Sequence, residues 1–317
     1  MILRPATPEE LAATLHGTDA SRARVDQVDL SALHRVLEHA PEDMTVTVET
    51  GATLASLQRH LATRGQWLPI DPPHPDRLTI GELLDNNTSG PRRYGCGTIR
   101  DHLIGLRVAL AGGQLIRSGG KVVKNVAGFD LMKLFVGARG SLGVIVEATF
   151  KLLPIPEAES FVAVRSASLA EVEGFRGAVL GSELTPTVFD LHNLESRNEA
   201  APDYVVVLGF SGVRQAVQYQ VAIADRLGIR EPATLDFDGQ FHAVELPAPG
   251  RLSVLPSRLV ETLRSLGAHR FVARAGNGLV YHRAAGVTAP TPELPGKLIE
   301  RVKQTFDPNS IFPSAPL

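Results

Sequence analysis

The run Asn87-Thr88-Ser89-Gly90-Pro91-Arg92-Arg93-Tyr94-Gly95 and the later run Gly137-Ala138-Arg139-Gly140-Ser141-Leu142-Gly143-Val144-Ile145 decide how this chain reads. Both fall in a glycine-dense stretch from Thr79 to Phe150. Without a Cβ, glycine lets main chain approach a large ligand and adopts positive φ at little cost. Turn amides exposed in this way form concavities that favour pyrophosphate-like anions. The stretch therefore predicts a cofactor cradle built from backbone.

The spacing Gly137-x-x-Gly140-x-x-Gly143 invites a dinucleotide-fold reading, which requires a strand, then the glycines, then a helix. Here the order is reversed. A short helix over 131–136, capped by Asp130, precedes the glycines, and the residues after Gly143 alternate as a strand. A loop-rich cradle between sheets fits better.

Working outward, Thr7-Pro8-Glu9-Glu10 supplies an N-cap, a proline at N1 and first-turn acids, predicting a helix through Leu15. Val28–Leu30 and Arg35–Glu38 read as short strands, and Met44–Glu49 alternates with β-branched residues as a firm one. Thr53 caps a helix through Thr63 with Leu54, Leu57 and Leu61 on one face. Strands are expected at 106–110, 113–116 and 144–153. Pro154-Ile155-Pro156 then marks a boundary. Beyond it the order is strand 161–165, helix 169–180, strands 187–191 and 204–210 and helix 213–227. Helix 257–266, strands 270–274 and 279–283 and a last helix 294–305 complete the chain. That order predicts an antiparallel sheet with helices on one face.

Thr79-Ile80-Gly81-Glu82, the Asn87–Gly95 run, Ile99-Arg100-Asp101, the segment Gly119 to Leu131 (Gly-Gly-Lys-Val-Val-Lys-Asn-Val-Ala-Gly-Phe-Asp-Leu) and Gly140–Ile145 together resemble the FAD-linked oxidases of the vanillyl-alcohol oxidase and p-cresol methylhydroxylase family. Within it the chain is most similar to the FAD-binding E-type subunits of bacterial glycolate oxidase. The resemblance is close from Leu30 to about Pro156 and looser in the tail Phe306–Phe312. It implies an α+β fold: a two-subdomain p-cresol-methylhydroxylase-type FAD-binding domain over 1–155, a ferredoxin-like antiparallel cap over 156–293, and a tail over 294–317 returning to the first domain.

The resemblance also implies FAD as cofactor. Its contacts would come from Pro73, Thr79, Ile80, Gly81, Asn87, Ser89, Gly90, Arg93, Tyr94, Gly95, Ile99, Asp101, Gly140, Ser141, Gly143 and Ile145, the last group facing the adenine half. It names no catalytic residue and no metal site. It implies an FAD-binding relay or accessory subunit of a complex oxidising glycolate or another D-2-hydroxy acid. The partners would be a larger flavin-bearing catalytic subunit and an iron–sulfur subunit. A flavin-free scaffold in the same complex and a free-standing flavin oxidase are the alternatives. Arg92 and Arg93 suit cofactor phosphate or substrate carboxylate, or form a solvated pair. Lys124 and Asn125 suit the flavin or an acid substrate, or a turn. Cys96 reads as a small buried residue rather than a redox thiol.

Two departures from the family pattern stand out. Its members carry a glycine-rich pyrophosphate loop before the Asp-Leu-Ser strand. Here Leu15 to Asp29 spans that place with one glycine, Gly17, so the segment is shortened. Related dehydrogenases also place histidines in a late Gly-His-x-Gly-Asp-Gly-Asn segment, where this chain has Ala273-Arg274-Ala275-Gly276-Asn277-Gly278. Arg274 stands in the histidine place, and no base for an α-hydroxyl proton is apparent.

Composition narrows the rest. A net charge of −2 and few aromatics argue against a nucleic-acid surface. One cysteine excludes an internal disulfide and a thiolate cluster from this chain alone. The start, Met1 to Glu10, lacks a signal-peptide apolar core, and no run approaches the ~20 apolar residues of a spanning helix. The expectation is a cytoplasmic protein, meeting a membrane only through partners.

Overall fold

The computed structural model describes residues 1–120, 131–194, 203–244, 249–287 and 296–314. Lys124 and Asn125, with most of the Gly119–Leu131 run, lie outside the described residues. Two antiparallel sheets organise the chain. The first has five strands in the order Val36–Ala40, Thr45–Glu49, Val144–Lys151, Leu103–Ala109 and Leu115–Gly119. The second has seven, in the order Glu231–Pro232, Ala158–Ser166, Tyr204–Gly212, Val188–His192, Phe271–Arg274, Leu279–His282 and Gly250–Ser253.

Alternation in the sequence builds the first sheet. Val46 and Val48 point into one core with Leu106, Val108, Ala148 and Phe150. The helix Leu54–Ala62, capped by the Thr53 hydroxyl accepting from the Ser56 amide, lays Leu54, Leu57 and Leu61 on that core. Fully burying such a leucine stabilises the fold by about 1.5–3 kcal/mol. A helix at Ile80–Asn86, hidden in the glycine-dense stretch, adds Ile80, Leu83 and Leu84. Its Thr79–Glu82 capping box is complete, each end satisfying an amide of the other.

A smaller core joins the N-terminal helix Pro8–Ser21 to the tail: Leu11, Leu15 and Val25 pack against Ile311 and Phe312. The Val25 amide donates to the Ile311 carbonyl at 2.9 Å. Strands Ile2–Leu3 and Gln27–Val28 pair in parallel beside it.

In the second sheet the strand Tyr204–Gly212 is apolar on both faces. Val206, Leu208 and Phe210 meet the helices Leu169–Leu180, Arg214–Arg226 and Leu259–Ser265, while Val205 and Val207 meet Phe237 and Phe241. The sequence pattern points to helices on one face only. The helix Asp236–Ala243 covers the other, and its polar composition, with Asp236, Asp238 and His242, conceals it.

Candidate functional site

Beside the first sheet lies a cleft of about 310 Å³, lined by Val25–Ser31, Thr50, Gly51, Thr79, Gly81, Glu82, Asp85, Arg139, Gly140, Val144, Ile145, Phe312 and Pro313. Main-chain bonds fix its walls. The Gly81 amide donates to Thr50 O (2.8 Å), and the Thr50 hydroxyl donates to Ile145 O (2.6 Å). The glycine turn is tied to the end of the helix Ile80–Asn86: Gly137 N donates to Leu84 O (2.9 Å) and Arg139 N to Asp85 O (3.1 Å). Gly137, Arg139 and Gly140 have φ of 86°, 51° and 70°, the left-handed region that glycine tolerates best. Across the cleft, Lys303 holds the C-terminal tail, donating to the carbonyls of Ser141 (2.8 Å) and Phe312 (3.2 Å) and to Asp307.

The segment Val25–Ser31 forms the rim. Gln27–Val28 runs directly into the turn at Asp29–Ser31, where Ser31 N donates to Asp29 Oδ1 (3.0 Å). This turn crosses Gly51 so tightly that a Cβ there would collide with the Leu30 carbonyl. Gly51 is a close-packing glycine of the rim.

Four of the expected cofactor residues line the cleft: Thr79, Gly81, Gly140 and Ile145. Gly143 closes onto the sheet, its would-be Cβ 2.8 Å from Val108 Cγ1. Ser141 is buried behind the turn. Ile80 and Ile99 are core residues, and Asp101 caps the helix Ile99–His102 through Thr98. Pro73 sits in the loop ahead of Thr79.

The rest of the Asn87–Gly95 run turns towards the second sheet. A Cβ on Gly90 would collide with the Asp71 carbonyl, and Gly95 N donates to Thr187 O (3.0 Å). The Tyr94 ring packs edge-on to Phe189, with centroids 5.7 Å apart. Arg92 bonds Asp71 (3.0 Å) and Glu159 (2.9 Å) and lies over Trp67 and Phe161. It acts as a clamp between the two sheets. Arg93, which burial pushes below the usual guanidinium range, donates to Ser89 Oγ (2.9 Å). Burial raises the Cys96 thiol to about 11, so it stays protonated at neutral pH.

Arg274 is fully buried between two carboxylates, bonding Asp190 (2.5 Å) and Asp238 (2.6 Å). Burial and the neighbouring Asp238 push Asp190 up to about 7 against the pull of Arg274, because two acids share one guanidinium. The same acids keep Arg274 charged at any ordinary pH. His242 approaches Asp238 at 3.9 Å and is held below the usual imidazole range, chiefly by burial. Asp190 Oδ1 and Arg274 Nε are left without hydrogen-bond partners, but both residues are fully buried, so the group presents no solvent-accessible base. Among the described residues no set of His, Cys, Asp or Glu side chains is placed to hold a metal. No helix there is long and apolar enough to cross a membrane.

One observation fits the cleft to a flavin nucleotide. Gly140 lines it, and a Cβ there would meet nothing closer than 3.9 Å, so main chain without a side chain faces the cleft. Asn87 Oδ1, beside Gly137 and behind the cleft wall, is buried without a hydrogen-bond partner.

The fold is that of the p-cresol methylhydroxylase-type FAD-binding proteins. Alkyldihydroxyacetonephosphate synthase superposes with a TM-score of 0.74, covering 99% of this chain and 76% of the other at 15% identity. Residues 16–119 match the family model described as FAD binding domain. This part of the chain is an FAD-binding domain, and FAD is its cofactor. Glycolate oxidase subunit GlcD of Bacillus subtilis is 42% identical over 39% of this chain and 27% of its own length. Glycolate oxidase subunit GlcE of Escherichia coli is 37% identical over 41% and 38%. A probable mitochondrial D-lactate dehydrogenase of Danio rerio is 31% identical over 62% and 42%. The matched region thus spans between 27% and 42% of these relatives.

The lining residues that sequence reasoning did not assign to the site include Val25–Ser31, Thr50, Gly51, Glu82, Asp85, Arg139, Val144, Phe312 and Pro313. Arg139 precedes the recognised Gly140, and that adjacency was the available signal for it. The tail residues reach the cleft through the Lys303 anchor and the packing of Ile311 and Phe312 on the N-terminal helix.

Proposed function

We propose that this chain is the FAD-binding subunit of a complex that oxidises glycolate or another D-2-hydroxy acid, serving as a flavin relay or accessory subunit. Its units would be a cofactor-binding part over 1–155, a cap over 156–293 and a returning tail over 294–317. The likeness to glycolate oxidase subunits and D-lactate dehydrogenases supports the substrate class. A larger flavin-bearing subunit and an iron–sulfur subunit would be the partners.

The observation that carries the relay assignment is the Arg274 group. Where an enzyme of this class needs a side chain to take the α-hydroxyl proton, this chain buries a guanidinium neutralised by Asp190 and Asp238. FAD, when bound, supplies the two-electron redox chemistry. Thr79, Gly81 and Gly140 would hold it, Thr50 and Ile145 would brace the wall, and the Lys303-anchored tail would keep water from one side.

The test compares the lone FAD-loaded chain with the chain co-expressed beside its two partner subunits, using glycolate, D-lactate and an artificial electron acceptor. The proposal expects no turnover by the lone chain and turnover by the complex. Steady turnover by the lone chain would instead make it a free-standing oxidase.

A further inference from the structure

The cleft is unusual in charge for a place that receives a pyrophosphate. Asp26, Asp29, Glu82 and Asp85 line it against Arg139. Two of the acids are engaged elsewhere: Asp26 with the N-terminal ammonium and Asp29 with Arg4 at 3.5 Å. Glu82 is committed to the capping box of its own helix. Asp85 differs. It stands one turn beyond Glu82 and reaches across to the glycine turn, where its carboxyl faces the Gly140 amide. Its own carbonyl takes the Arg139 amide at 3.1 Å, so helix end and turn move together. A carboxylate seated at a turn amide occupies the kind of position a phosphate oxygen would take.

We propose that Asp85 is a built-in competitor for the cofactor's phosphate charge, seated at the Gly140 amide, so that the cleft takes FAD tightly only where that carboxyl carries no charge. The inference rests on the cofactor reading of the cleft and adds a selectivity and pH control to it. Burial, with the adjacent Glu82 carboxylate, raises Asp85 to about 7, while the Gly140 amide opposes that rise. The carboxyl therefore changes charge in the neutral range. The charged groups around it are Glu82 on its own helix, Arg139 on the glycine turn, and Asp26, Asp29, Arg4 and the terminal ammonium on the rim. The Val144–Ile145 wall contributes no charge, and the tail side brings the Lys303 ammonium, bonded to Ser141 O and paired with Asp307.

The experiment titrates the full chain with FAD, following flavin fluorescence, at about pH 6 and about pH 8. Riboflavin, which has no phosphate, is the control ligand. With a competent fraction near one in eleven a pH unit above the midpoint, wild-type FAD affinity falls about tenfold between these conditions. Asp85→Asn binds FAD equally at both and about tenfold tighter than wild type at the higher pH. Riboflavin binding responds to neither change. Asp85→Ala, which removes the carboxyl without adding an amide, serves as the second variant and behaves as Asp85→Asn. Equal, pH-independent FAD affinity in wild type and both variants overturns the competitor while leaving the cofactor reading intact. A riboflavin gain as large as that for FAD overturns it too, since charge opposition would not be the cause. Failure of FAD to bind any variant at either pH overturns both readings.

Discussion

The ring of Tyr94 lies against the Cα of Gly276, so close that a side chain on Gly276 would overlap the ring. Tyr94 belongs to the glycine-dense stretch and Gly276 to the turn after the strand Phe271–Arg274, so this contact joins the two sheets. The rigid backbone at Gly276 and the T-shaped partner Phe189 leave the ring no easy retreat. Gly276→Ala should destabilise the chain by about 1–3 kcal/mol, the usual cost of overpacking. Combining it with Tyr94→Ala should recover part of the loss. Denaturant midpoints of both single variants and the double check this, and strictly additive losses would count against the contact.

Removing Arg274 exposes the cost of an uncompensated buried charge. Arg274→Met leaves Asp190 and Asp238 without their cation and should destabilise by about 3–5 kcal/mol. Replacing all three, as Arg274→Met with Asp190→Asn and Asp238→Asn, should restore most of it, because the interior then holds no net charge. Chemical denaturation measures both.

Stability should depend on pH through Asp85. Its pKa rises from 3.8 to about 7 on folding, so the native state binds the extra proton between those values. The contribution is whole at low pH and is lost as pH rises through that window. Thermal melts should therefore show Asp85→Asn losing less stability than wild type between about pH 5 and about pH 8. Parallel curves for the two proteins would show that the carboxyl is not perturbed.

The tail is anchored by Lys303, whose ammonium meets the carbonyls of Ser141 and Phe312 and the Asp307 carboxylate. Lys303→Met takes this donor from the two carbonyls and leaves Asp307, itself fully buried, without its cation, held only by the Ile311 and Phe312 amides. The tail should loosen. Limited proteolysis should cut near Asp307–Phe312 faster than in wild type, and FAD affinity should fall by several-fold as the Phe312 wall of the cleft is lost.

Much of the architecture was legible because it rests on strong periodic signals. Thr45–Glu49 alternates, Leu54, Leu57 and Leu61 share one face, and Val144–Lys151 is a long β-branched run. The helix Ile80–Asn86 was not marked, since glycine and asparagine dilute its apolar pattern and tertiary contacts decide its formation. The N-terminal helix runs past Leu15 to Ser21, across Gly17 and polar residues whose propensity is weak.

The site was legible in part. Thr79, Gly81, Gly140 and Ile145 do gather at one cleft. In the same glycine-rich run, Gly90 packs tightly on the Asp71 backbone, and Tyr94 and Gly95 pack on the second sheet at Phe189 and Thr187. A glycine allows main chain to approach a ligand or another main chain equally well, and sequence does not distinguish the two. Asp85 was invisible for a different reason. A carboxylate on an exposed helix and one aimed at a turn amide look alike until the fold brings Gly140 beside it.

The central claim is that the cleft between Gly81 and Gly140 holds FAD. The most direct measurement is the visible spectrum of the purified full chain, desalted after incubation with FAD at about pH 6, where Asp85 is mostly neutral. The account predicts a retained flavin spectrum at near one cofactor per chain, lost on Gly140→Leu, which fills the cleft. A colourless protein after that treatment, with Gly140→Leu indistinguishable from wild type, would contradict it.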